Sequence, residues 1–245
     1  MTESHYVGAY WGNRKETAEE CAPRLTNLLD ELSQCDRIFS RWFEKGGSVA
    51  KALEREVKAD NDSLRRLLER GRNRRDQNGT TIEDLGFDLS IWNGVMDAES
   101  DLSLHCGGYA STANVWIPNS CVMNLPSDGP AFERLHKVAV LLRIIDAFVR
   151  AFQPTSAVVT SHEYREIAPK AEPGVPLVGW LTYLPATANR LPPLPRGAKA
   201  VPAADSGSII VTTDAPLTVE NPEHITLASQ VWGALSTAGL LQRSA

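Results

Sequence analysis

"GFDLSIWNGVMDAESDLSLHCGGY", residues 86–109, decides how this chain folds. "GFDLSIWNG" places Leu89 and Ile91 on one strand face with Phe87, and Leu85 just ahead extends that face. "SDLSLHCGGY" repeats the period-two pattern after the turn "MDAESD". Strict alternation is the mark of a strand with one covered face. A third run, "NVWIPNSCVMNLP" at 114–126, follows after a short connection. Three strands in succession, joined by turns of Asn, Gly, Asp and Pro, read as an antiparallel meander.

Working outward, "HYVGAYW" at 5–11 is a strand apolar on both faces, hence central, with Tyr6, Gly8, Tyr10 and Gly12 opposite Val7, Ala9 and Trp11. Thr17-Ala18-Glu19-Glu20 reads as a capping box, starting a helix to about Ser33. "IFSRWFE" at 38–44 reads as a strand, and Asp62 or Ser63 caps a short helix. The widest apolar stripe begins near Pro130 and runs through Phe132, Leu141, Ile145 and Phe152, as one long helix on the sheet. Eleven of the fifteen prolines lie from Pro154 onward, so "AVVTSHEY", "LVGWLTYL" and "SIIVTT" are strands between rigid loops, "LPPLPRG" among them. Asn221 caps a last helix. Strands in runs rather than in strict alternation with helices predict an α+β fold. Residues 1–245 form a single domain with a mainly antiparallel or mixed sheet and helices on its faces.

Composition narrows function. The net charge of −5 argues against a nucleic-acid binder by bulk electrostatics. The apolar run of the longest helix is broken by Arg143, Asp146 and Arg150, which excludes a membrane span there. Cys21, Cys35, Cys106 and Cys121 form no CxxC pair, so neither a zinc site nor a disulfide scaffold is indicated. With no leader pattern, the expected location is the reducing cytoplasm.

Charge is distributed unevenly. Residues 37–75 carry twelve Lys/Arg against six Asp/Glu, whereas 76–133 hold nine acids and no Lys or Arg. Six of those acids, Glu83, Asp84, Asp88, Asp97, Glu99 and Asp101, fall within nineteen residues. Two readings fit: a solvated sheet edge and turn, or an acidic surface for a basic partner. The basic "RLLERGRNRR" fits a solvated helix end.

Catalytic motifs are sparse. Gly8 and Gly12 give only GxxxG, without the Lys and third glycine of phosphate loops. "GNRKET" offers Arg14 and Lys15 ahead of a helix N-terminus, a weak anion site. "SHEYRE" puts His162 and Glu166 on one strand face, too few ligands for a metal. No nucleophile, acid–base pair, metal site or cofactor site is nominated.

Several stretches together carry a resemblance: "YVGAYWGNRKETAEECA", "RWFEKG", "LLERGRNRRD", "IEDLGFDLSIWNG", "GWLTYLP", "GSIIVTTDAPLTVENPEHI" and the closing "AGLL". From Tyr6 to Leu241 the chain resembles the immunity protein 52 family of bacterial polymorphic toxin systems. The resemblance implies an α+β protein encoded beside a toxin. It implies that the toxin bears a restriction-endonuclease-fold nuclease domain, is often delivered by type VI secretion, and is neutralised by stoichiometric binding. It also implies no catalysis and no cofactor. A nuclease presents a basic groove for phosphates. On that footing Asp97, Glu99 and Asp101, then Glu83, Asp84 and Asp88, are the expected toxin-facing acids. Trp92 and Tyr109 are candidate aromatic anchors, with core packing the competing role for both, above all for Trp92. The rival functions are a small cytoplasmic enzyme using "SHEYRE" or "GNRKET", and an adaptor or chaperone for a secreted effector.

Overall fold

The computed structural model describes residues 3–110, 119–169, 175–186, 191–204 and 207–241. Among these the strands are β1 (His5–Trp11), β2 (Trp42–Glu44), β3 (Glu56–Val57), β4 (Phe87–Trp92), β5 (Asp101–Cys106) and β6 (Asn119–Asn124). β7 (Ser156–Ser161), β8 (Leu181–Leu184), β9 (Lys199–Pro202) and β10 (Ser208–Val211) complete one sheet, ordered β3-β2-β4-β5-β6-β1-β7-β8-β10-β9. Every neighbouring pair is antiparallel. The helices are α1 (Ala18–Cys35), α2 (Val49–Leu53), α3 (Asn61–Arg70), α4 (Gly129–Leu135), α5 (Val138–Phe152), α6 (His162–Ile167) and α7 (Pro222–Thr237). The α+β expectation and the β4-β5-β6 meander hold.

β1 lies inside the sheet because both its faces are apolar and both are covered. Val7 and Ala9 stand beside Met123 and Cys121 of β6 and beside Val159 and Ala157 of β7. That row continues through Leu102, Leu104, Leu89 and Ile91 on one side and Leu181 and Tyr183 on the other, all fully or nearly buried. α1 and α5 cover it, α1 contributing Leu25, Leu28, Leu29 and Leu32. Each such side chain contributes about 1.5–3 kcal/mol by leaving water. The capping box is present: the Thr17 hydroxyl accepts from the Glu20 amide, and the Glu20 carboxylate accepts from the Thr17 amide at 2.8 Å. On the reverse face the Tyr10 ring folds back over Gly8, where a Cβ would sit 2.6 Å from the Tyr10 hydroxyl. Tyr6 meets His162 of α6 at 4.7 Å between ring centres. Farther along, Leu184 and Ile210 form a second core with Val231 and Leu235 of α7, and Leu191 and Leu194 of the proline-rich loop pack against it.

Four local expectations are corrected. The strand expected over 38–44 is only Trp42–Glu44, because Asp36 accepts from the Ile38 amide and winds Arg37–Phe39 into a 3-10 turn. The short helix is capped by Asp60, not by Asp62 or Ser63: its carboxylate accepts from the Ser63 amide at 2.8 Å. The long helix is two helices, α4 and α5, broken at His136, whose backbone leaves the helical region and whose Nδ1 donates to the Phe132 carbonyl. The strand expected through Tyr164 ends at Ser161, whose hydroxyl accepts from the Tyr164 amide and starts α6, so "SHEYRE" is helical apart from its capping serine. Residues 114–118 of "NVWIPNSCVMNLP" lie outside the described residues.

The segment after β1 clamps α5. Glu16, only 7% exposed, accepts from Arg14 Nε at 2.9 Å and Arg24 Nε at 2.8 Å. The two guanidinium groups also donate to the carbonyls of Phe152 and Ala151, at the end of α5. Cations there complement the helix dipole. Arg14 stacks over Trp11, which itself stacks on Phe152. Arg14 is thus committed to the fold rather than offered to an anion.

The chain start is tied down as well. Glu3 accepts from the Ser161 and Thr218 hydroxyls and the Val219 amide. Burial works against its ionisation, but these donors outweigh it and hold its carboxyl below the ordinary value. Beside it His5 donates to the Leu217 carbonyl, and its ring meets His136 edge-on at 4.8 Å. Burial depresses both histidines, His136 to about 3.

These contacts predict two outcomes. Glu16→Gln leaves two partly sequestered cations unpaired and lowers unfolding free energy by about 1–3 kcal/mol in urea titration. The buried histidines bind protons only when the chain unfolds, so their contribution is complete above the ordinary value of 6.5 and is lost as pH falls from there toward about 3. Unfolding free energy is expected to be smaller at pH 5 than at pH 7.5, and His136→Leu is expected to shrink that difference.

Candidate interaction surface

The β4–β5 turn is held by one buried side chain. Asn93 donates from Nδ2 to the Ala98 carbonyl at 2.8 Å, and its Oδ1 accepts from the amides of Val95 and Ser100. Gly94 has φ +73°, and a Cβ there would meet the Phe43 ring at 2.5 Å. With its inner groups satisfied, the turn points Met96, Asp97 and Glu99 outward, while Ala98 and Ser100 are buried. Next to it Asp101 accepts from Lys45 Nζ at 3.0 Å and from Asn124 Nδ2 at 2.8 Å, and Asn124 Oδ1 lies 3.0 Å from His162 Nε2.

These segments border a groove of about 480 Å³ at this end of the sheet. Asp97, Glu99 and Asp101 line it, joined by Asp128 from the loop after β6. No Lys or Arg lies among its described lining residues. The three acids that lead the sequence expectation are therefore brought together.

The remaining acids are elsewhere. Glu83 pairs with Arg72 at 2.9 Å, and the Asp84 carbonyl accepts from the Tyr109 and Ala110 amides. Both acids and Tyr109 belong to the Phe87–Cys106 end of the hairpin, roughly 17 Å from its turn at 3.4 Å per residue. Lys15 sits over the Tyr109 ring at 5.0 Å. Asp88 occupies the sheet face between the two ends, 2.8 Å from His105 Nδ1 and 2.7 Å from Asn73 Nδ2. Burial opposes its ionisation, but these two partners prevail and hold its carboxyl below the ordinary value. Trp92 is 6% exposed and packs with Phe43 and Ala52, the core role named as its alternative.

Among the described residues the face carrying Asp88 is open. Ser90, Ser103, His105, Ser120 and Val122 line a shallow depression of about 310 Å³ with it, and no α-helix is among its lining residues. Asp88, His105 and Ser120 form a cross-strand row of acid, imidazole and hydroxyl. His105 Nε2, however, is buried without a partner against Gly108, so no hydroxyl is hydrogen-bonded to the imidazole as nucleophilic catalysis requires. "SHEYRE" places His162 on Asn124. No cluster of three or more His, Cys, Asp or Glu that could hold a metal occurs among the described residues. The basic run is interleaved with acids: Arg70 pairs with Glu44, Arg72 with Glu69 and Arg65 with Glu19.

Sequence reasoning missed the apolar rim. Val49 and Leu53 of α2 are 42% and 45% exposed, and Met96 of the turn is 64% exposed. A five-residue helix is too short to show a period, so only the i, i+4 spacing of Val49 and Leu53 signalled their shared face.

No helix among the described residues is long and apolar enough to cross a membrane. No curated protein sequence matches the chain. Among solved structures, the Pseudomonas aeruginosa T6SS protein PA0821 shares the fold with a TM-score of 0.52 at 15% identity, covering 94% of this chain and 76% of that one. The model of immunity protein 52 matches residues 3–244, nearly the whole length. The chain belongs to the immunity protein 52 family.

Proposed function

We propose that this chain acts as a single α+β unit that binds a cognate toxin stoichiometrically in the cytoplasm and blocks it. The observation that carries this reading is the family match over residues 3–244. The partner is a secreted nuclease of restriction-endonuclease fold, delivered by a type VI system. The fold shared with a Pseudomonas aeruginosa T6SS protein supports the delivery route. Electrostatics supports the nuclease. A protein that cleaves DNA carries a positive surface for phosphates, and the groove between the β4–β5 turn and the loop after β6 carries four carboxylates and, among its described lining residues, no Lys or Arg.

In this reading Asp97, Glu99 and Asp101 face the toxin, with Asp88 on the adjoining sheet face. Glu83, Asp84 and Tyr109 contact it only if its footprint spans the whole hairpin. Such charges act by steering encounter more than by adding affinity.

Co-expression tests the function: cells producing the toxin encoded by the adjoining gene are expected to grow, with intact chromosomal DNA, only when this protein is present. Toxicity that persists beside well-folded protein would sink the reading. For the surface, Asp97→Lys combined with Glu99→Lys is expected to slow association at least tenfold at low salt, measured by stopped-flow. The difference should narrow as salt rises and screening sets in.

A further inference from the structure

The acidic groove is one half of a larger surface. Its other half is apolar and lies on α2. Ala52 is the residue by which α2 seats itself on Phe43 and Trp92. Val49 and Leu53 face solvent, although burying them on the protein's own core would have been favourable. Leu53 approaches Gly94 of the turn, its Cδ2 3.2 Å from where a Cβ would stand, and Met96 follows two residues later. The apolar side chains therefore run from the helix onto the turn that carries Asp97 and Glu99. Lys45, one turn ahead of α2, is neutralised by Asp101. Lys51 on α2 and Arg55 just after it are exposed as well, so the part of this surface without Lys or Arg is the groove and not the helix.

Among the described residues only four large apolar side chains are exposed: Val49, Leu53, Met96 and Ile167. Three of them belong to this rim. The fourth, Ile167, ends α6, whose first residue His162 lines the groove from the far side. Isolated exposed apolar residues need no explanation, whereas three of them on α2 and the β4–β5 turn, beside the acidic groove that Met96 lines, mark a contact surface.

We infer that α2 and the β4–β5 turn form the anchoring half of the toxin interface. This rests on the immunity reading and assigns the two halves different work. The occupant is a toxin surface that presents an apolar side chain flanked by Lys or Arg. The apolar side chain is buried against Val49, Leu53 and Met96, and its basic neighbours meet Asp97 and Glu99. Desolvated apolar contact governs how long a complex lasts, while rim charge governs how fast it forms.

The two halves separate kinetically. The probe is the toxin of the adjoining gene, immobilised and met by full-length immunity protein. Val49→Ser combined with Leu53→Ser is expected to speed dissociation at least tenfold, equally at low and high salt, with little change in association. Asp97→Asn with Glu99→Gln is expected to slow association and flatten its salt dependence, with little change in dissociation. Both α2 positions are nearly half exposed, and unchanged circular dichroism and melting temperature confirm intact variants. Leu53→Arg, which sets a cation against the toxin's own, is a second variant expected to abolish stable binding. Parent-like dissociation of both α2 variants overturns the inference while leaving the immunity reading intact. Failure of the parent protein to bind overturns the immunity reading itself. A parent protein that sediments as a dimer, and as a monomer once Val49 and Leu53 are replaced, assigns the patch to a second copy of the chain and overturns the inference.

Discussion

Everything in this fold hangs on a strand with no polar face. Val7, Ala9 and Trp11 cannot face water without cost, and neither can Tyr6. β1 therefore needs a layer above and a layer below, as well as a neighbour on each edge to take its backbone groups. β6 and β7 supply the edges. α1 and α5 supply one layer, α6 and the Tyr10 ring the other. Placing β1 mid-sheet drives the other strands outward in both directions, until each side ends in a short or proline-bearing strand, β3 and β9. Short edges and Pro202 discourage further pairing.

The two sides of the sheet are finished differently. Beyond β1 toward β10, the reverse face is roofed by α7 and the proline-rich loop. Toward β4, no helix among the described residues roofs the same face, which carries Asp88, Ser90, Ser103, His105 and Ser120. A bare antiparallel face must be polar to stay soluble, and this one is polar without being basic. The acidic groove continues from it, since Asp101 and Asn124 are two residues from Ser103 and Val122 on the same strands.

Strands announced by period two were legible from sequence: β1, β4 and β5 stand where alternation put them. So were the caps at Thr17 and Asn221, because a side-chain acceptor at a fixed offset is a local signal. What failed depended on distant or competing contacts. Ser161 could have continued β7, but its hydroxyl also donates to Glu3, more than 150 residues away, while capping α6. His136 breaks the α4–α5 stripe because its ring is drawn into the His5–Trp180 cluster, which no helical period reveals. For the surface, Asp97, Glu99 and Asp101, which the charge imbalance singled out, line one groove. Linear proximity alone could not show that Glu83 and Asp84 would be carried to the opposite end of the hairpin. Nor could it show that α2 would leave its apolar side chains outside.

The position of β1 also sets a clock. Its partners β6 and β7 begin more than 110 and 150 residues later in the chain. At synthesis rates of roughly 5–20 residues per second, on the order of 8–30 s pass between the emergence of β1 and that of β7. In that interval α1 can coil on its own, but β1 has neither of its strand partners and keeps its apolar side chains exposed. The ties from Glu3 and His5 to residues 217–219 close still later. A molecule built this way completes its sheet only after nearly all of the described chain has been made; on the proposed function, resistance comes from copies already folded when an assault arrives, not from those then on the ribosome.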